Sequence, residues 1–280
     1  ATAAALGVAR PVLVDATAAE TGPALERALG LGWDAVLANK RPIAGPQAAA
    51  DRLRALAAAR GRHLLHEATV GAGLPVLDTL RKLQEAGDRV LAIEGCPSGT
   101  LGYVFAELGR GRRFSEAVRA AAAAGYTEPD PRVDLSGADV ARKAVILARQ
   151  LGWRGEPGDV AAESLVPAAL ADAAPAAFLA RLPECDAAWE ARVADARSRG
   201  RVLRYRIRVT PRRVAVGLVE VAPTDPLGAL SGTDNQFAFT TARYRRQPLV
   251  VTGPGAGAEV TAAGVLGDLL RVAAERGAGG

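Results

Sequence analysis

The sequence predicts an α/β fold joined to an α+β block, and three observations lead to this prediction. Near the start of the chain, short apolar runs typical of buried parallel strands alternate with helical segments. From residue 201 the apolar positions recur at every second residue, as in a half-buried sheet. The chain then closes with a glycine-rich loop and another helical segment. This order predicts one domain that is interrupted by, or wrapped around, another.

The first half of the chain is predicted to alternate between strands and helices. Asn39 and Lys40 follow the second strand, at the carboxyl end where α/β sheets bind ligands. Pro23 suits the first turn of the first helix. We predict strands at 11–15, 34–38, 63–70 and 89–93, and helices at 21–31, 45–60, from about 76 to 86, and 114–124.

The second half is predicted to be more varied. Residues 125–131 are expected to be extended, because a residue that precedes proline is disfavoured in the helical region. The segment 153–200 reads as broken helix without recognisable chemistry. In the hairpin 201–221, apolar residues alternate with arginines, which predicts one apolar and one cationic face. We further predict a helix at 136–151, strands at 236–244 and 248–251, and a helix at 260–276.

Composition excludes several classes of protein. No apolar run approaches the roughly 20 residues that span a bilayer, so we expect no membrane association. The net charge of +5 comes from scattered arginines with only 4% aromatic residues, which argues against a nucleic-acid partner. Two cysteines suit a reducing, cytoplasmic setting. The absence of methionine, even at position 1, predicts a partial or processed chain.

Lysine is rare here, and its positions are informative. Only 3 of the 35 basic residues are lysines, Lys40, Lys82 and Lys143. Unlike arginine, lysine can give up its proton when buried and act as a general acid or base. Asp139 and Lys143 share one helical face. Either Ser136 and Asp139 form a capping box beside an ordinary surface pair, or this pair carries chemistry. Lys82 is interpreted as solvated surface.

Two further features allow a functional and a structural interpretation. Glu128 and Asp130 lie in a stiff proline-rich loop, which is either a rigid connector or, with Asp134 and Asp139, a set of four carboxylates facing one lysine. Such a set would suit recognition of an amino group. The loops 71–73 and 253–257 are rich in glycine, which fits either a phosphate cradle or close backbone packing.

Together these segments resemble the homoserine dehydrogenase family over nearly the whole chain. The most specific block runs from Gly125-Tyr-Thr-Glu-Pro-Asp-Pro-Arg132 to Asp134-Leu-Ser-Gly-Ala-Asp-Val-Ala-Arg-Lys143. The other matching segments are Val14-Asp-Ala-Thr17, Ala38-Asn-Lys40, Glu67-Ala-Thr-Val-Gly-Ala-Gly-Leu-Pro75, Ser98-Gly-Thr100, Gly232-Thr-Asp-Asn235 and Gly253-Pro-Gly-Ala-Gly257.

The resemblance implies a partial Rossmann nucleotide-binding domain wrapped with a mixed-sheet catalytic and dimerisation domain. It places the second half of the nucleotide-binding domain at 1–44, the catalytic and dimerisation domain at 45–248, and a returning loop and helix at 249–280. The family's first strand and Gly-rich turn are not found in this sequence, and Val133 stands where the family often has another acid.

The resemblance also implies a reaction, the NAD(P)H-dependent reduction of L-aspartate 4-semialdehyde to L-homoserine, on the route to threonine, methionine and isoleucine. Lys143 would donate the proton and Lys40 would assist, while Glu128, Asp134 and Asp139 would bind the substrate. The cofactor, NADP or NAD, would contact Thr17, Lys40, Gly125, Glu128 and Gly257. A sodium ion would bind Glu67 and the carbonyl groups of Val70, Ala72 and Leu74.

Two functions therefore remain open for the chain. The first is an active homoserine dehydrogenase, expected to be a homodimer or higher homo-oligomer. The second is a non-catalytic fragment that serves only in dimerisation or regulation, which the exposed ladder of the hairpin 201–221 favours.

Overall fold

Two sheets organise the part of the chain that the computed structural model describes, residues 10–277. The first is parallel with strand order β1-β2-β3, and the second is antiparallel with order β6-β5-β4-β7-β8. The predicted combination of α/β and α+β structure is thus confirmed. The strands are β1 (Val12–Asp15), β2 (Asp34–Leu37), β3 (Leu64–Leu65), β4 (Val90–Cys96), β5 (Val202–Val209), β6 (Val214–Val221), β7 (Asn235–Thr241) and β8 (Leu249–Gly253).

Helices of very different lengths connect and cover these sheets. They are α1 (Gly22–Gly30), α2 (Arg41–Ala44), α3 (Gln47–Ala59), α4 (Val76–Glu85), α5 (Gly99–Gly109), α6 (Phe114–Ala123), α7 (Pro131–Leu135), α8 (Ala138–Gln150), α9 (Pro175–Arg181), α10 (Asp186–Ser198), α11 (Pro226–Ala229) and α12 (Ala258–Gly277). No helix within residues 10–277 is both long and apolar enough to cross a membrane.

The predicted strand at 63–70 is wrong beyond its first residues. Only Leu64 and Leu65 pair with β2, and a 3₁₀ turn follows at Glu67–Thr69. The reason is the side chain of Glu67, whose two oxygens accept hydrogen bonds from the N–H groups of Leu77 and Asp78 at 2.8 Å each. The carboxylate thereby caps the start of α4 and bends the chain out of the sheet.

Four helices, α2, α5, α7 and α11, begin where the sequence predicts none, and α7 and α5 have side chains that cap their first turns. Helix α7 starts at Pro131, because the Asp130 side chain accepts a hydrogen bond from the Arg132 N–H at 3.0 Å. Asp130 itself is extended, so the rule for residues before proline holds at that position. Helix α5 follows Ser98, whose hydroxyl accepts from the Leu101 N–H at 3.2 Å.

The two sheets share one hydrophobic core, which the C-terminal helix helps to close. Helix α12 packs on Glu67–Thr69 and on β2, and the Asp268 carboxylate accepts a hydrogen bond from the Glu67 N–H at 2.9 Å. Strand β3 and helix α3 extend the parallel unit beyond residue 44, where the domain boundary was placed. The three-part division stays a prediction, and its residues 1–9 and 278–280 lie outside the described part of the chain.

The cationic face predicted for the 201–221 hairpin is only partly exposed. Arg208 faces solvent, whereas Arg206 pairs with Glu94 at 2.7 Å. Arg204 is buried, and its guanidinium donates to the carbonyl groups of Leu227, Gly228 and Leu230. Helix α11 therefore covers this part of β5. The aliphatic part of Arg204 is buried with its guanidinium instead of facing solvent.

Candidate active site

The carboxyl ends of β1 and β2 form one wall of the candidate site. Asp15 ends β1, and its carboxylate accepts hydrogen bonds from Thr17, Thr21 and Asn39. These bonds outweigh the effect of burial, which alone would raise the pKa of Asp15, and hold it below its usual range. Two of the predicted site residues, Thr17 and Lys40, are therefore fixed at the same sheet edge.

Lys143 lies on α8 and turns its amine inward. Only 8% of the residue is exposed, and its Nζ donates a 2.6 Å hydrogen bond to the Pro97 carbonyl oxygen just after β4. The same nitrogen lies 3.0 Å from Asp139 Oδ2, one helical turn earlier. A lysine this buried needs such partners, since an unpaired charge away from water is costly. The interpretation of Asp139 and Lys143 as an ordinary surface pair is wrong.

Asp139 joins the two lysines that the sequence analysis singled out. Its Oδ1 lies 3.5 Å from Lys40 Nζ, while Oδ2 faces Lys143. Burial alone would raise the pKa of Asp139, but the ammonium groups of Lys143 and Lys40 lower it to about 2. The carboxylate stays charged at neutral pH, and 44% of its side chain remains exposed to a ligand.

The capping box expected at Ser136 is not formed. Ser136 ends α7, and Gly137 precedes α8 in the left-handed conformation with a φ of 70°. A Cβ at Gly137 would overlap the hydroxyl of Tyr205 on β5. Only glycine allows α8 to start this close to the sheet. The consequence is that Asp139 points toward the lysines and not toward its own helix terminus.

The proline-rich loop is tied to the start of α5 near Pro97, and its acids have different surroundings. Asp134 accepts one hydrogen bond from the Thr100 hydroxyl and another from the Glu128 N–H, both at 2.9 Å. Asp130 pairs with Arg132 at 2.7 Å. The expectation that four carboxylates face one lysine is therefore wrong, since only Asp139 contacts Lys143 among the described residues.

Glu128 differs from its neighbours. Its side chain is exposed and makes neither a hydrogen bond nor an ion pair with any residue between 10 and 277. The loop around it is held through Thr100, which also donates to the Tyr126 carbonyl oxygen. Thr100 lies on α5, three residues after the Pro97 carbonyl that receives Lys143. Gly125 begins this loop with a φ of 72°.

Both glycine-rich loops pack closely, as the packing interpretation predicted. At Gly73 a Cβ would overlap the carbonyl oxygen of Val260, so this loop packs tightly on α12. The second loop leads into α12; a Cβ at Gly255 would overlap the Asn235 side chain, whose amide donates to the Gly255 carbonyl. Because Gln236 pairs with Cys96, this places the loop of Gly257 at the same end of the sheet as Pro97.

The predicted cation ligands belong to one short segment, residues 67–74, which α12 contacts at the 67–69 turn and at Gly73. The Glu67 carboxylate already accepts two N–H groups, and burial raises its pKa to about 7. Each oxygen keeps a further lone pair, so a cation would bind alongside these bonds. Val70, Ala72 and Leu74 belong to the same turn, and Ala72 has a positive φ of 53°. Among residues 10–277, no cluster of three His, Cys, Asp or Glu side chains could hold a metal.

Several contacts of the site could not be named from the sequence motifs. The Pro97 carbonyl is a backbone group, and its role depends on the end of β4 meeting α8. Asn39 was noted only for its place after β2, yet its amide bonds Asp15 and the Ala19 carbonyl. Its type and position at a strand end were the only available signal.

Comparison with known proteins identifies the family. A family model for homoserine dehydrogenase matches residues 75–270, which is most of the 280-residue chain. The matched part contains Pro97, the loop of Glu128 and all of α8. The chain belongs to the homoserine dehydrogenase family. The resemblance seen in the motifs is thus confirmed.

Curated members of this family differ in how much of their length the chain matches. The chloroplastic bifunctional aspartokinase/homoserine dehydrogenase 2 of Zea mays is 48% identical over 272 residues, covering 95% of this chain and 30% of that protein. Homoserine dehydrogenase of Paracoccidioides brasiliensis is 41% identical over 276 residues, covering 94% of this chain and 74% of that protein. The chain thus spans under a third of the plant relative.

Solved structures agree with the family and the fold. A crystal structure of a protein of unknown function from Candida auris has a TM-score of 0.90 at 40% identity, over 97% of this chain and 78% of that one. A putative homoserine dehydrogenase from Archaeoglobus fulgidus gives 0.76 at 28%, over 93% and 74%. A hyperthermophilic archaeal homoserine dehydrogenase in complex with NADPH shares the fold, with 0.72 at 24%, over 94% and 72%.

Proposed function

We propose that the protein is a homoserine dehydrogenase that reduces L-aspartate 4-semialdehyde to L-homoserine with NADPH or NADH. The observation that carries this proposal is the buried amine of Lys143, held between Asp139 and the Pro97 carbonyl in a member of this family. An amine so placed suits a reaction in which a carbonyl oxygen gains negative charge and then a proton. The product feeds threonine, methionine and isoleucine synthesis.

The residues at the sheet edge suit the reactive end of a dinucleotide. Thr17 and Lys40 follow adjacent parallel strands at their carboxyl ends, where such ligands bind. Gly257 immediately precedes the first turn of α12, and its loop comes near Pro97. Gly125 and Glu128 are proposed to complete the contacts. When bound, the dinucleotide supplies the hydride. The archaeal relative of known structure was solved with NADPH.

Lys143 is proposed to hand its proton to the aldehyde oxygen. The Asp139 carboxylate lies 3.0 Å from the amine, and the Pro97 carbonyl fixes where the nitrogen points. As the oxygen becomes an alkoxide, the ammonium stabilises it and then releases its proton. Lys40, on the other side of Asp139, keeps a second positive charge near the same oxygen.

Glu128 and Asp139 are proposed to bind the amino group and the polar end of the substrate. The free carboxylate of Glu128 offers a charge-assisted hydrogen bond, and the exposed part of Asp139 offers another acceptor. Asp134 would act mainly by holding the Glu128 loop, since both of its oxygens already bind protein donors. The sodium site at Glu67 is kept as a proposal, and no step depends on it.

A homodimer or higher homo-oligomer is proposed for the assembly. In the antiparallel sheet, β6 and β8 are edge strands, and an edge strand can pair with another chain. Ala162 and Glu163 cover part of β6, so β8 is the better candidate. A reducing compartment such as the cytoplasm fits Cys96 and Cys185, neither of which forms a disulfide. The plant relatives named above are chloroplastic proteins.

The experiment that tests the activity compares two lysines. The protein, expressed with all the residues that its gene encodes, is assayed for homoserine-dependent reduction of NADP⁺ and NAD⁺ by absorbance. Lys143→Arg should lose about a hundredfold or more of the activity, because arginine cannot release its proton. The control Lys82→Arg changes an exposed lysine on α4 and should behave as wild type. No homoserine-dependent reduction by the wild type, or full activity of Lys143→Arg, would refute the proposal.

A further inference from the structure

A buried arginine lies on the same helix as the proposed catalytic pair. Arg149 follows Lys143 by six residues on α8, and only 7% of it is exposed. Its Nη1 donates to the Ile43 carbonyl oxygen at 2.6 Å, and its Nη2 donates to the Gly45 carbonyl oxygen at 2.7 Å. The carboxylates of Glu156 and Asp51 lie near enough to act on its charge, but within residues 10–277 its hydrogen bonds all go to backbone carbonyl groups.

These two carbonyl groups belong to the short turn that carries Lys40. Helix α2 contains only four residues, and the last carbonyl groups of a helix have no partner within it. Lys40 begins the turn, and its own carbonyl oxygen accepts hydrogen bonds from the N–H groups of Ile43 and Ala44. Lys40 thus begins the turn that includes α2, and Arg149 binds the carbonyl groups at the end of the same turn.

The position of Lys40 is therefore fixed by contacts on both sides of it in the chain, through Asn39 and through Arg149. On its N-terminal side, the Asn39 side chain binds Asp15 and accepts from the Arg41 N–H at 3.0 Å, which ties the turn to the parallel sheet. On its C-terminal side, Arg149 ties the turn to α8, the helix that carries Asp139. The distance between Lys40 and Asp139 depends on how these two elements sit against each other.

The ion pair between Lys40 and Asp139 cannot set this distance by itself. The nitrogen and oxygen are 3.5 Å apart, and the side chains are 29% and 44% exposed. A pair that is so accessible to water contributes little to holding two elements together. One hydrogen bond of Arg149 is buried and the other is partly buried, and both are charge-assisted and made by a forked group with fixed geometry.

We propose that Arg149 is a positioning residue that holds Lys40 beside Asp139 by binding the end of the Lys40 turn. Its effect on turnover rests on the proposed dehydrogenase function, whereas its effect on the geometry does not. The proposal therefore predicts that loss of Arg149 resembles loss of Lys40, and that the two losses are not additive.

The test uses the full protein and four variants. They are Arg149→Met, Lys40→Met, the double variant, and Arg154→Met. The last is the control, because Arg154 also forms an ion pair with a neighbouring element, at Asp51 on α3, but is 75% exposed and makes no hydrogen bond or ion pair with the Lys40 turn. Two quantities are measured, the pKa of the Asp139 carboxyl group by ¹³C NMR, assigned with Asp139→Asn, and kcat with homoserine.

Removing Lys40 should raise the pKa of Asp139, because one of its two ammonium neighbours is gone. Arg149→Met should raise it in the same direction and lower kcat roughly tenfold, as a small misplacement of a reacting group does. The double variant should shift neither quantity beyond Lys40→Met, and Arg154→Met should match wild type. If Arg149→Met does not fold, Arg149→Lys, which can reach only one carbonyl group, should give the same changes at smaller size.

The proposal is overturned if a folded Arg149 variant keeps the wild-type pKa of Asp139, or if its loss of kcat adds to that of Lys40→Met. A wild type without homoserine-dependent activity would refute the proposed function only. The Asp139 titration would still decide the role of Arg149, because it requires no turnover.

Discussion

The two sides of the candidate site differ in how completely the protein satisfies their charged groups. On the α8 side, Lys143, Asp139 and Lys40 bind one another and a backbone carbonyl. On the loop side, Glu128 has no protein partner within residues 10–277, although its backbone is held by Asp134. The first side is organised before any ligand arrives, as catalytic groups require. The second side leaves the Glu128 carboxylate without a protein hydrogen-bond donor, so that a ligand can supply one.

The largest expected effect on activity comes from removing the carboxylate of Asp139 on the α8 side. Asp139→Asn removes the negative charge between two ammonium groups, so that both lose their common partner. We expect kcat/KM for homoserine to fall roughly a hundredfold, within the range attributed to positioned acid–base groups. Steady-state kinetics measure this loss. Asp195→Asn, which alters an exposed pair of the same helical spacing, should leave the kinetics unchanged.

A change on the loop side should affect binding more than turnover. Glu128→Gln keeps the shape of an exposed side chain but removes the charge proposed to bind the substrate amino group. Loss of a charge-assisted hydrogen bond should raise KM about tenfold to a hundredfold, while thermal stability stays the same. Initial rates over a range of homoserine concentrations test this. A fall in kcat alone would place Glu128 in the chemistry and remove the contrast between the two sides.

Replacing one glycine on each side of the site should lower the unfolding free energy by different amounts. Gly137 and Gly125 have nearly the same φ, 70° and 72°, but only at Gly137 would a Cβ meet another side chain. Gly125→Ala should cost about 1 kcal/mol of unfolding free energy, from the left-handed backbone alone. Gly137→Ala should cost about 2 kcal/mol more, because Tyr205 must move. Urea unfolding of both variants gives the comparison, and equal losses would contradict it.

The smallest expected effect is a pH dependence of stability. The pKa of Asp139 falls from 3.8 to about 2 in the folded protein, so its carboxylate stabilises the fold above pH 4 and this contribution disappears as pH falls toward 2. The unfolding free energies of wild type and Asp139→Asn should therefore differ at neutral pH and converge in acid. Solvent exposure of Asp139 keeps the difference modest. A constant difference from pH 6 to 2 would exclude this role.

The sequence was most informative where a contact is local. The spacing of Asp139 and Lys143 on one helix predicted their contact, whereas a place for Lys40 in the same site was implied only by the family resemblance. Local signals for α5 and α7 are also present in the sequence, as Ser98 and Asp130 directly before the helix starts, although the proline rule predicts an extended 125–131.

Contacts between distant segments could not be predicted in the same way. The strand prediction at 63–70 failed because the Glu67 side chain binds a helix that begins ten residues later. The capping box at Ser136 failed because α8 packs against Tyr205, which is far along the chain. The hydrogen bonds of Arg149 join segments about 100 residues apart, and nothing in the local pattern around Arg149 indicates its acceptors.

The position of α12 has a consequence for how the chain acquires its structure during synthesis. The loop at Gly73 and the turn at Glu67–Thr69 are covered by a helix that begins only at Ala258. All strands of the antiparallel sheet are therefore synthesised before α12 is available to cover this part of the parallel unit. In the interval the apolar surface beneath α12 is open, which makes the nascent chain a candidate for chaperone binding until α12 emerges.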